Sequence, residues 1–171
     1  MKGPLADLRV MVVEDNANMR SIVTALLRGL GVNQVSECGD GAQALAMLRE
    51  QMVDVAIVDF NMTPVDGVMF TQLVRTAADS PNRFLPIIML TGHTERTRVE
   101  EARDAGVTEF IVKPVTARAV ISRLESVILR PRPFIQSESY FGPDRRRRED
   151  PAFKGPWRRS GDAQRETPDG G

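Results

Sequence analysis

Five polar residues with the chemistry to hold a metal ion and a phosphoryl group each follow a short apolar run of the sequence. Glu14 and Asp15 follow one run, and Asp59, Thr91 and Lys113 each follow another. Carboxylates gathered in a small site repel each other unless a cation lies between them, and hard oxygen ligands favour Mg²⁺ or Mn²⁺. A lysine ammonium and a threonine hydroxyl bind phosphoryl oxygens, and a carboxylate can accept phosphate as an acyl phosphate. The sequence therefore predicts phosphoryl chemistry beside a metal ion, with Asp59 as the nucleophile.

The apolar runs that precede these residues predict β-strands. Each run is short and rich in β-branched side chains, which is typical of a strand buried on both faces. With one further run, the predicted strands are 8–13, 34–38, 53–58, 85–90 and 109–112.

The stretches between the strands have the apolar spacing of amphipathic helices. Met19, Ile22, Val23 and Leu26 follow one helix face, and Gly31 is the predicted stop. The same pattern predicts a helix after every strand, the fourth running over 94–105 and stopped by Gly106. Alternating strands and helices form a parallel sheet with right-handed crossovers, in which ligands bind beyond the carboxyl ends of the strands. We therefore predict a doubly wound α/β fold that gathers the five polar residues at one edge.

Each of these residues also has an ordinary structural interpretation. A single aspartate after a strand, such as Asp15, is usually a turn residue or a helix N-cap. Lys113 alone would be a solvated surface lysine. The combination of all five at successive strand ends favours a functional site.

Six stretches of the sequence carry a resemblance to a known family. They are VVEDN at 12–16, MRSIV at 19–23, VDFNM at 58–62, DG at 66–67, MLTG at 89–92 and FIVKP at 110–114. On these motifs, residues 8–130 resemble the receiver domain of bacterial two-component response regulators, and most of all the single-domain, chemotaxis (CheY-like) type. The resemblance implies the flavodoxin-like (βα)5 fold, with strand order 2-1-3-4-5.

The resemblance also implies roles for the acidic residues. Asp59 would accept a phosphoryl group from a histidine kinase or a phosphotransfer protein. Asp15 and Asp59 would bind Mg²⁺ directly, Asn61 would add its backbone carbonyl, and Glu14 would act through a water molecule. Only self-phosphorylation from small donors and slow self-dephosphorylation are expected, so we predict a phosphoacceptor protein and not an enzyme.

Three further residues would respond to the phosphoryl group. The resemblance implies that Lys113 pairs with its oxygens and that Thr91 donates a hydrogen bond to it. Phe110 would turn inward and change the face formed by the fourth helix, fifth strand and fifth helix, where an output protein binds. Phe110 could instead be a core aromatic of the last strand.

The chain has a single cysteine, Cys38, and a single histidine, His93. A disulfide within one chain, a Cys/His zinc cluster and a pair of histidine ligands are therefore excluded. We expect His93 to be an exposed side chain at the mouth of the site, with an effect on phosphate lifetime or pH response as the alternative.

The composition changes after residue 130. Residues 131–171 contain six of the eleven prolines and five of the thirteen glycines, which disfavours long helices or strands. We therefore predict a short lead-in at 1–7, a receiver domain at 8–130, and an irregular, largely disordered Pro/Gly/Arg-rich tail at 131–171. Such a tail is too short for a DNA-binding effector domain, so DNA binding is not expected.

Arginine runs are interleaved with aromatic residues in this tail. The arginine guanidinium can donate two hydrogen bonds to guanine and can stack on a base, and aromatic rings offer further stacking surface. The candidate ligand-binding residues are Arg145, Arg146, Arg147, Arg148, Trp157, Arg158 and Arg159. The tail resembles that of chemotaxis-like receivers that bind cyclic di-GMP and act at the flagellar motor. The alternative function is thus a nucleotide-controlled binding protein with the receiver as scaffold; a protein or RNA contact and an inert, solvated tail also stay open.

No apolar run approaches the length of about 20 residues that spans a bilayer, and Met1–Pro4 lacks the apolar core of a secretory signal. We expect a cytoplasmic protein without a membrane span.

Overall fold

A five-stranded parallel sheet with helices on both faces forms the body of the protein. The computed structural model describes residues 3–92 and 97–145 and the backbone of 164–166. In chain order, the elements of this body are β1 (Arg9–Val13), α1 (Ala17–Gly29), β2 (Gln34–Cys38), α2 (Gly41–Glu50), β3 (Val55–Asp59), α3 (Gly67–Thr76), β4 (Ile87–Thr91), α4 (Val99–Ala105), β5 (Glu109–Val112) and α5 (Ala117–Leu129). The strands lie in the order β2-β1-β3-β4-β5, and all neighbours are parallel. The predicted doubly wound fold is confirmed.

The strands β3 and β4 end one residue later than the apolar pattern predicts. Asp59 still pairs with Leu90 of the neighbouring strand, and Thr91 pairs with Val112. Backbone hydrogen bonding does not depend on side-chain polarity, so both ladders extend through the polar residue that follows the apolar run.

The core lies on both faces of the sheet because strand side chains alternate in direction. In β1, Val10 and Val12 pack with α1 and α5, while Met11 and Val13 pack with α2 and α3. Burial of each large aliphatic side chain contributes about 1.5–3 kcal/mol, so the two layers hold the strand ends in fixed positions.

Polar side chains begin four of the helices in the described ranges. Each accepts a hydrogen bond from the backbone amide three residues further on, which satisfies a donor that the helix leaves unpaired. These caps are Asn16, Asp40, Asp66 and Thr116. The interpretation of Asp15 as a helix cap is therefore wrong, because the next residue caps α1.

Glycine ends two helices in the left-handed region of backbone conformation. Gly31 has φ +96° and Gly106 has φ +106°, a geometry that favours glycine because it lacks a Cβ. Both were predicted as helix stops, and both predictions are confirmed.

Residues 131–145, directly after α5, differ from their prediction as part of an irregular tail. The strands β6 (Phe134–Gln136) and β7 (Phe141–Pro143) form an antiparallel hairpin, and the backbone of β8 (Gln164–Glu166) pairs with β6. Phe134, Ile135, Tyr140 and Phe141 are buried. The proline and glycine content of this segment led to the prediction of irregular structure. A hairpin this short needs only a few apolar residues, provided that another surface of the protein covers them.

Residues 146–163 and 167–171 lie outside the described residues, and so do residues 93–96. Over the ranges that are described, no helix has both the length and the apolar character to cross a membrane.

Candidate functional site

Four adjacent strands bring the predicted residues to one edge of the sheet. Val13 at the end of β1 pairs with Val58 in β3. Asp59 then pairs with Leu90, and Thr91 with Val112. The strand register thus places four of the predicted residues at the carboxyl ends of the strands, within about one residue of each other along the strand direction. These are Glu14, Asp59, Thr91 and Lys113.

Three carboxylates meet at this edge. One oxygen from each of Glu14, Asp15 and Asp59 lies within 4.8 Å of the other two. Glu14 and Asp59 are 2% and 3% exposed, whereas Asp15 is exposed to solvent. The predicted acidic cluster therefore forms, with two members buried and one open to water.

The Glu14 carboxylate is only partly satisfied. Its Oε1 accepts a hydrogen bond from the Asn16 amide at 3.1 Å, while its buried Oε2 has no hydrogen-bond partner among the described residues. Burial, and secondarily the charge of Asp59, raise the pKa of Glu14 to about 7. A buried carboxylate oxygen without a partner is costly, so this donor set fits a divalent cation with its bound water.

Asp59 is held beside a fixed positive charge. Its Oδ1 lies 2.6 Å from Nζ of Lys113. Burial raises the pKa of Asp59, with Asp15 adding to the rise, and the Lys113 ammonium acts in the opposite direction. Lys113 thereby favours the ionised, nucleophilic form of the carboxylate.

Lys113 is itself positioned by the neighbouring strand end. Its backbone amide donates to the Thr91 carbonyl at 2.7 Å, and the Lys113–Pro114 peptide is cis. Thr91 is 3% exposed. The two phosphoryl-binding candidates are therefore linked directly through the backbone, next to Asp59.

The loop after β3 depends on a close backbone contact that involves Gly67. A Cβ on Gly67 would lie 2.5 Å from the Asp59 carbonyl oxygen, and the Gly67 amide donates to the Phe60 carbonyl at 3.1 Å. Asp66 caps the following helix. Together these contacts fold back the loop that carries Asn61, which is exposed two residues beyond Asp59.

Sequence reasoning gave no role to Arg20. Its Nη1 donates to the Glu14 carbonyl at 2.8 Å, and its Nε lies 3.8 Å from Glu37. Arg20 is thus a positioning residue that ties α1 to the end of β1. The sequence signal that could have indicated this role is the position of Arg20, four residues after the Asn16 cap on the helix that follows the site.

Phe110 is half-buried on β5. It packs against a cluster that includes Met89, Ala102 and Ala105, and so contacts α4. The Arg123 guanidinium donates to its carbonyl at 2.9 Å, which links it to α5. Phe110 therefore connects the elements of the predicted output face.

Of the tail residues predicted to bind a ligand, only Arg145 lies in the described part of the chain. It pairs with Asp104 in α4 and lies over the Tyr140 ring at 4.3 Å. The other six, Arg146, Arg147, Arg148, Trp157, Arg158 and Arg159, lie outside the described residues, as does His93.

Comparison with known proteins gives a consistent set of matches. A family model for the response regulator receiver domain matches residues 10–125. The chain is 36% identical over 124 residues to chemotaxis protein CheY-3 of Vibrio cholerae, which covers 72% of this chain and 94% of that protein. It is 35% identical over 123 residues to chemotaxis protein CheY of Pseudomonas aeruginosa, which covers 72% of this chain and 98% of that protein.

Solved structures agree with these matches. The Vibrio cholerae chemotaxis protein CheY4 matches with a TM-score of 0.64 at 31% identity, covering 71% of this chain and 98% of that one. The receiver domain of the sensor histidine kinase PA1611 from Pseudomonas aeruginosa matches with a TM-score of 0.62 at 28% identity, covering 69% of this chain and 94% of that one. That structure has a magnesium ion coordinated in its active-site cleft.

Proposed function

The chain belongs to the response regulator receiver family, and from that premise we propose that it is a phosphorylation-controlled signalling switch with Asp59 as phosphoacceptor. The observation that carries the proposal is the 2.6 Å pairing of the buried Asp59 carboxylate with Lys113, inside a cluster of three carboxylates. The phosphoryl donor is a histidine kinase or a phosphotransfer protein of a two-component system.

The reaction is a phosphoryl transfer between two side chains. An Asp59 oxygen attacks the phosphorus of a phosphohistidine, the new O–P bond forms as the N–P bond breaks, and the histidine nitrogen leaves with the electron pair. Asp59 must be ionised for this attack, and the adjacent Lys113 charge partly offsets the effect of burial, which raises the pKa of Asp59. No oxidant or further co-reactant is needed.

A divalent cation fits the acidic cluster. Asp15 and Asp59 would bind Mg²⁺ directly, the Asn61 carbonyl would complete the protein ligands, and Glu14 would act through a bound water. A cation bound there supplies positive charge to the carboxylates and to the phosphoryl oxygens. The buried Oε2 of Glu14, without a hydrogen-bond partner among the described residues, supports this assignment.

Residues at the ends of β4 and β5 would then bind the phosphoryl group. The Lys113 ammonium leaves the Asp59 carboxylate and pairs with the phosphoryl oxygens. The Thr91 hydroxyl donates a hydrogen bond to the same phosphoryl oxygens. Phe110 connects this change to α4 and α5. The resulting face binds an output protein, and the chemotaxis relatives make a component of the flagellar motor the candidate. Turnover is restricted to the protein's own phosphate, so the protein is not an enzyme acting on external substrates.

Phosphorylation by a small phosphodonor tests the assignment of Asp59. With acetyl phosphate and Mg²⁺, the wild-type protein should gain the mass of one phosphoryl group, and Asp59→Asn should gain none. Asp79→Asn is the matched control, because Asp79 is a surface aspartate paired with Arg49 away from the site. A folded wild-type protein that gains no phosphoryl group, or an Asp59→Asn protein labelled like the wild type, would contradict the proposal.

A further inference from the structure

The hairpin of β6 and β7 lies outside the matched receiver region, which ends at residue 125. Its buried side chains form an aromatic cluster with Phe84, which precedes β4. The Phe84 and Phe134 ring centroids lie 5.0 Å apart, and Phe141 lies 5.5 Å from both. The Arg83 guanidinium covers the Phe141 ring at 3.8 Å. The hairpin is therefore packed onto the receiver body by apolar contacts.

A fully buried arginine lies beneath the hairpin. Arg75, at the end of α3, is 0% exposed, and its guanidinium lies 4.9 Å from the Phe134 ring centroid. It donates to the Gly106 carbonyl at 3.0 Å, the Arg83 carbonyl at 2.8 Å and the Thr108 hydroxyl at 3.4 Å. These neutral acceptors come from the end of α4 and the segments leading into β4 and β5. Arg75 therefore joins all three elements at the base of the hairpin.

The hairpin also touches the end of α4 directly. A Cβ on Gly142 would lie 2.9 Å from the Gly106 Cα, and one on Gly106 would lie 3.1 Å from the Phe141 carbonyl oxygen. Arg145 adds an ion pair to Asp104 in the last turn of α4. Backbone packing and a charge pair thus hold the end of α4 against the hairpin.

A second contact reaches β5 next to Phe110. The Arg132 guanidinium, just before the hairpin, donates to Glu109 at 2.8 Å, and Ser126 of α5 donates to the same carboxylate oxygen at 3.2 Å. Glu109 is 6% exposed. The carboxylate thereby connects the hairpin to both β5 and α5.

The strands β4 and β5 run from the hairpin to the proposed phosphorylation site. At the hairpin end, Ile87 and Thr108 are joined by two hydrogen bonds of 2.9 and 3.0 Å. At the site end, Thr91 and Lys113 are joined by one of 2.7 Å. With a rise of about 3.3 Å per residue, the two ends are about 15 Å apart. Paired strands of this length and the adjoining α4 form a continuous physical connection.

The hairpin contacts thus fall on the end of α4 and on the starts of β4 and β5, and these two strands lead to Thr91 and to Lys113, which pairs with the Asp59 carboxylate. We propose that the C-terminal hairpin is a restraint on the receiver switch: it stabilises the Lys113–Asp59 arrangement, and phosphorylation of Asp59 loosens it. Since coupling between two sites is reciprocal, a weakened hairpin contact strengthens binding of a phosphoryl group or its mimic. This inference rests on the proposed function and adds a regulatory element to it.

Hydrogen exchange on the intact chain tests the inference with beryllofluoride and Mg²⁺, which mimic a phosphoryl group on a carboxylate. Two hairpin amides serve as probes, since Ser137 donates to the Tyr140 carbonyl and Asp144 to the Pro133 carbonyl. Saturating mimic should slow exchange in the loop after β3 and speed exchange at 134–144 by about threefold or more. Protection of the loop with unchanged exchange in the hairpin would overturn the inference and leave the proposed function intact. A lack of protection in the loop after β3 would overturn both the inference and the proposed function.

A pair of matched variants tests the reciprocal effect. Asp104→Asn removes the ion pair to Arg145, and Asp79→Asn removes the one between Arg49 and Asp79; both aspartates are 67% exposed. Asp104→Asn should lower the half-saturating beryllofluoride concentration by about twofold and speed hairpin exchange, while Asp79→Asn should match the wild type. Equal half-saturation for the two variants would overturn the reciprocal coupling, and with it the inference.

Discussion

Glu14 and Asp59 are buried carboxylates that share one small site, and their electrostatics differ because of their neighbours. Asp59 has the Lys113 ammonium at 2.6 Å. Glu14 has the Asn16 amide at one oxygen and no hydrogen-bond partner, within the described residues, at the other. Glu14 therefore carries the larger unrelieved cost of burial, and its pKa rises to about 7.

The charge of Glu14 should reduce the stability of the metal-free protein. The pKa of Glu14 is about 7 in the folded state against an ordinary 4.5. At pH values between these two, the folded state therefore binds more protons than the unfolded state. Its stability therefore falls as pH rises from about 4.5 to 7. In chelator at pH 7.5, Glu14→Gln should be more stable than the wild type by about 1–3 kcal/mol, as measured by urea unfolding.

The pH dependence provides the control for this prediction. The stability difference between Glu14→Gln and wild type should shrink as pH is lowered toward 5, where Glu14 is protonated in the folded protein. A difference that stays constant from pH 5 to 7.5 would show that burial of the charge is not its cause.

The loop between β3 and α3 depends on a residue with no side chain. Gly67 lies where a Cβ would be 2.5 Å from the Asp59 carbonyl oxygen and 3.0 Å from the Met89 side chain. The first contact is with backbone, which cannot rotate away. A side chain at this position must therefore displace either the end of β3 or the start of α3.

Gly67→Ala should both destabilise the protein and impair phosphorylation. We expect a loss of about 1–3 kcal/mol, as for overpacked core positions, and phosphorylation by acetyl phosphate slowed about tenfold because Asp59 is displaced. Gly29→Ala is the matched control: Gly29 lies in the last turn of α1, and a Cβ added there would meet no atom within 4 Å beyond its chain neighbours and its own helix backbone. If Gly67→Ala behaves like Gly29→Ala in both measurements, the close contact does not set the loop geometry.

At the scale of the whole molecule, the receiver body extends beyond its five βα units. The segment after α5 returns across the ends of α3 and α4, and it buries Phe134, Ile135 and Phe141 there. Arg75 is enclosed by the same packing. The hairpin is therefore part of the folded domain, and its loss would also expose the buried guanidinium to water.

Phe134→Ala measures the contribution of the hairpin to stability. A buried aromatic side chain lost from a packed cluster should cost about 2–4 kcal/mol, as measured by urea unfolding at pH 8 with Mg²⁺. Leu129→Ala is the control, because Leu129 is nearby in the chain and 72% exposed, and its effect should stay within about 0.5 kcal/mol. Equal unfolding midpoints for the two variants would contradict an integral hairpin.

The amino-acid sequence by itself determined the fold class and the identity of the acidic cluster. Alternating apolar runs and helical spacing specify parallel strands, and a residue such as Asp59 or Lys113 at a strand end is carried to the edge by that topology. Tertiary structure decided which carboxylates are buried, why Gly67 is required, and where the hairpin packs. These features depend on contacts between residues far apart in the chain, such as Arg75 with Gly106 and Phe134, and no local pattern of residue types encodes them.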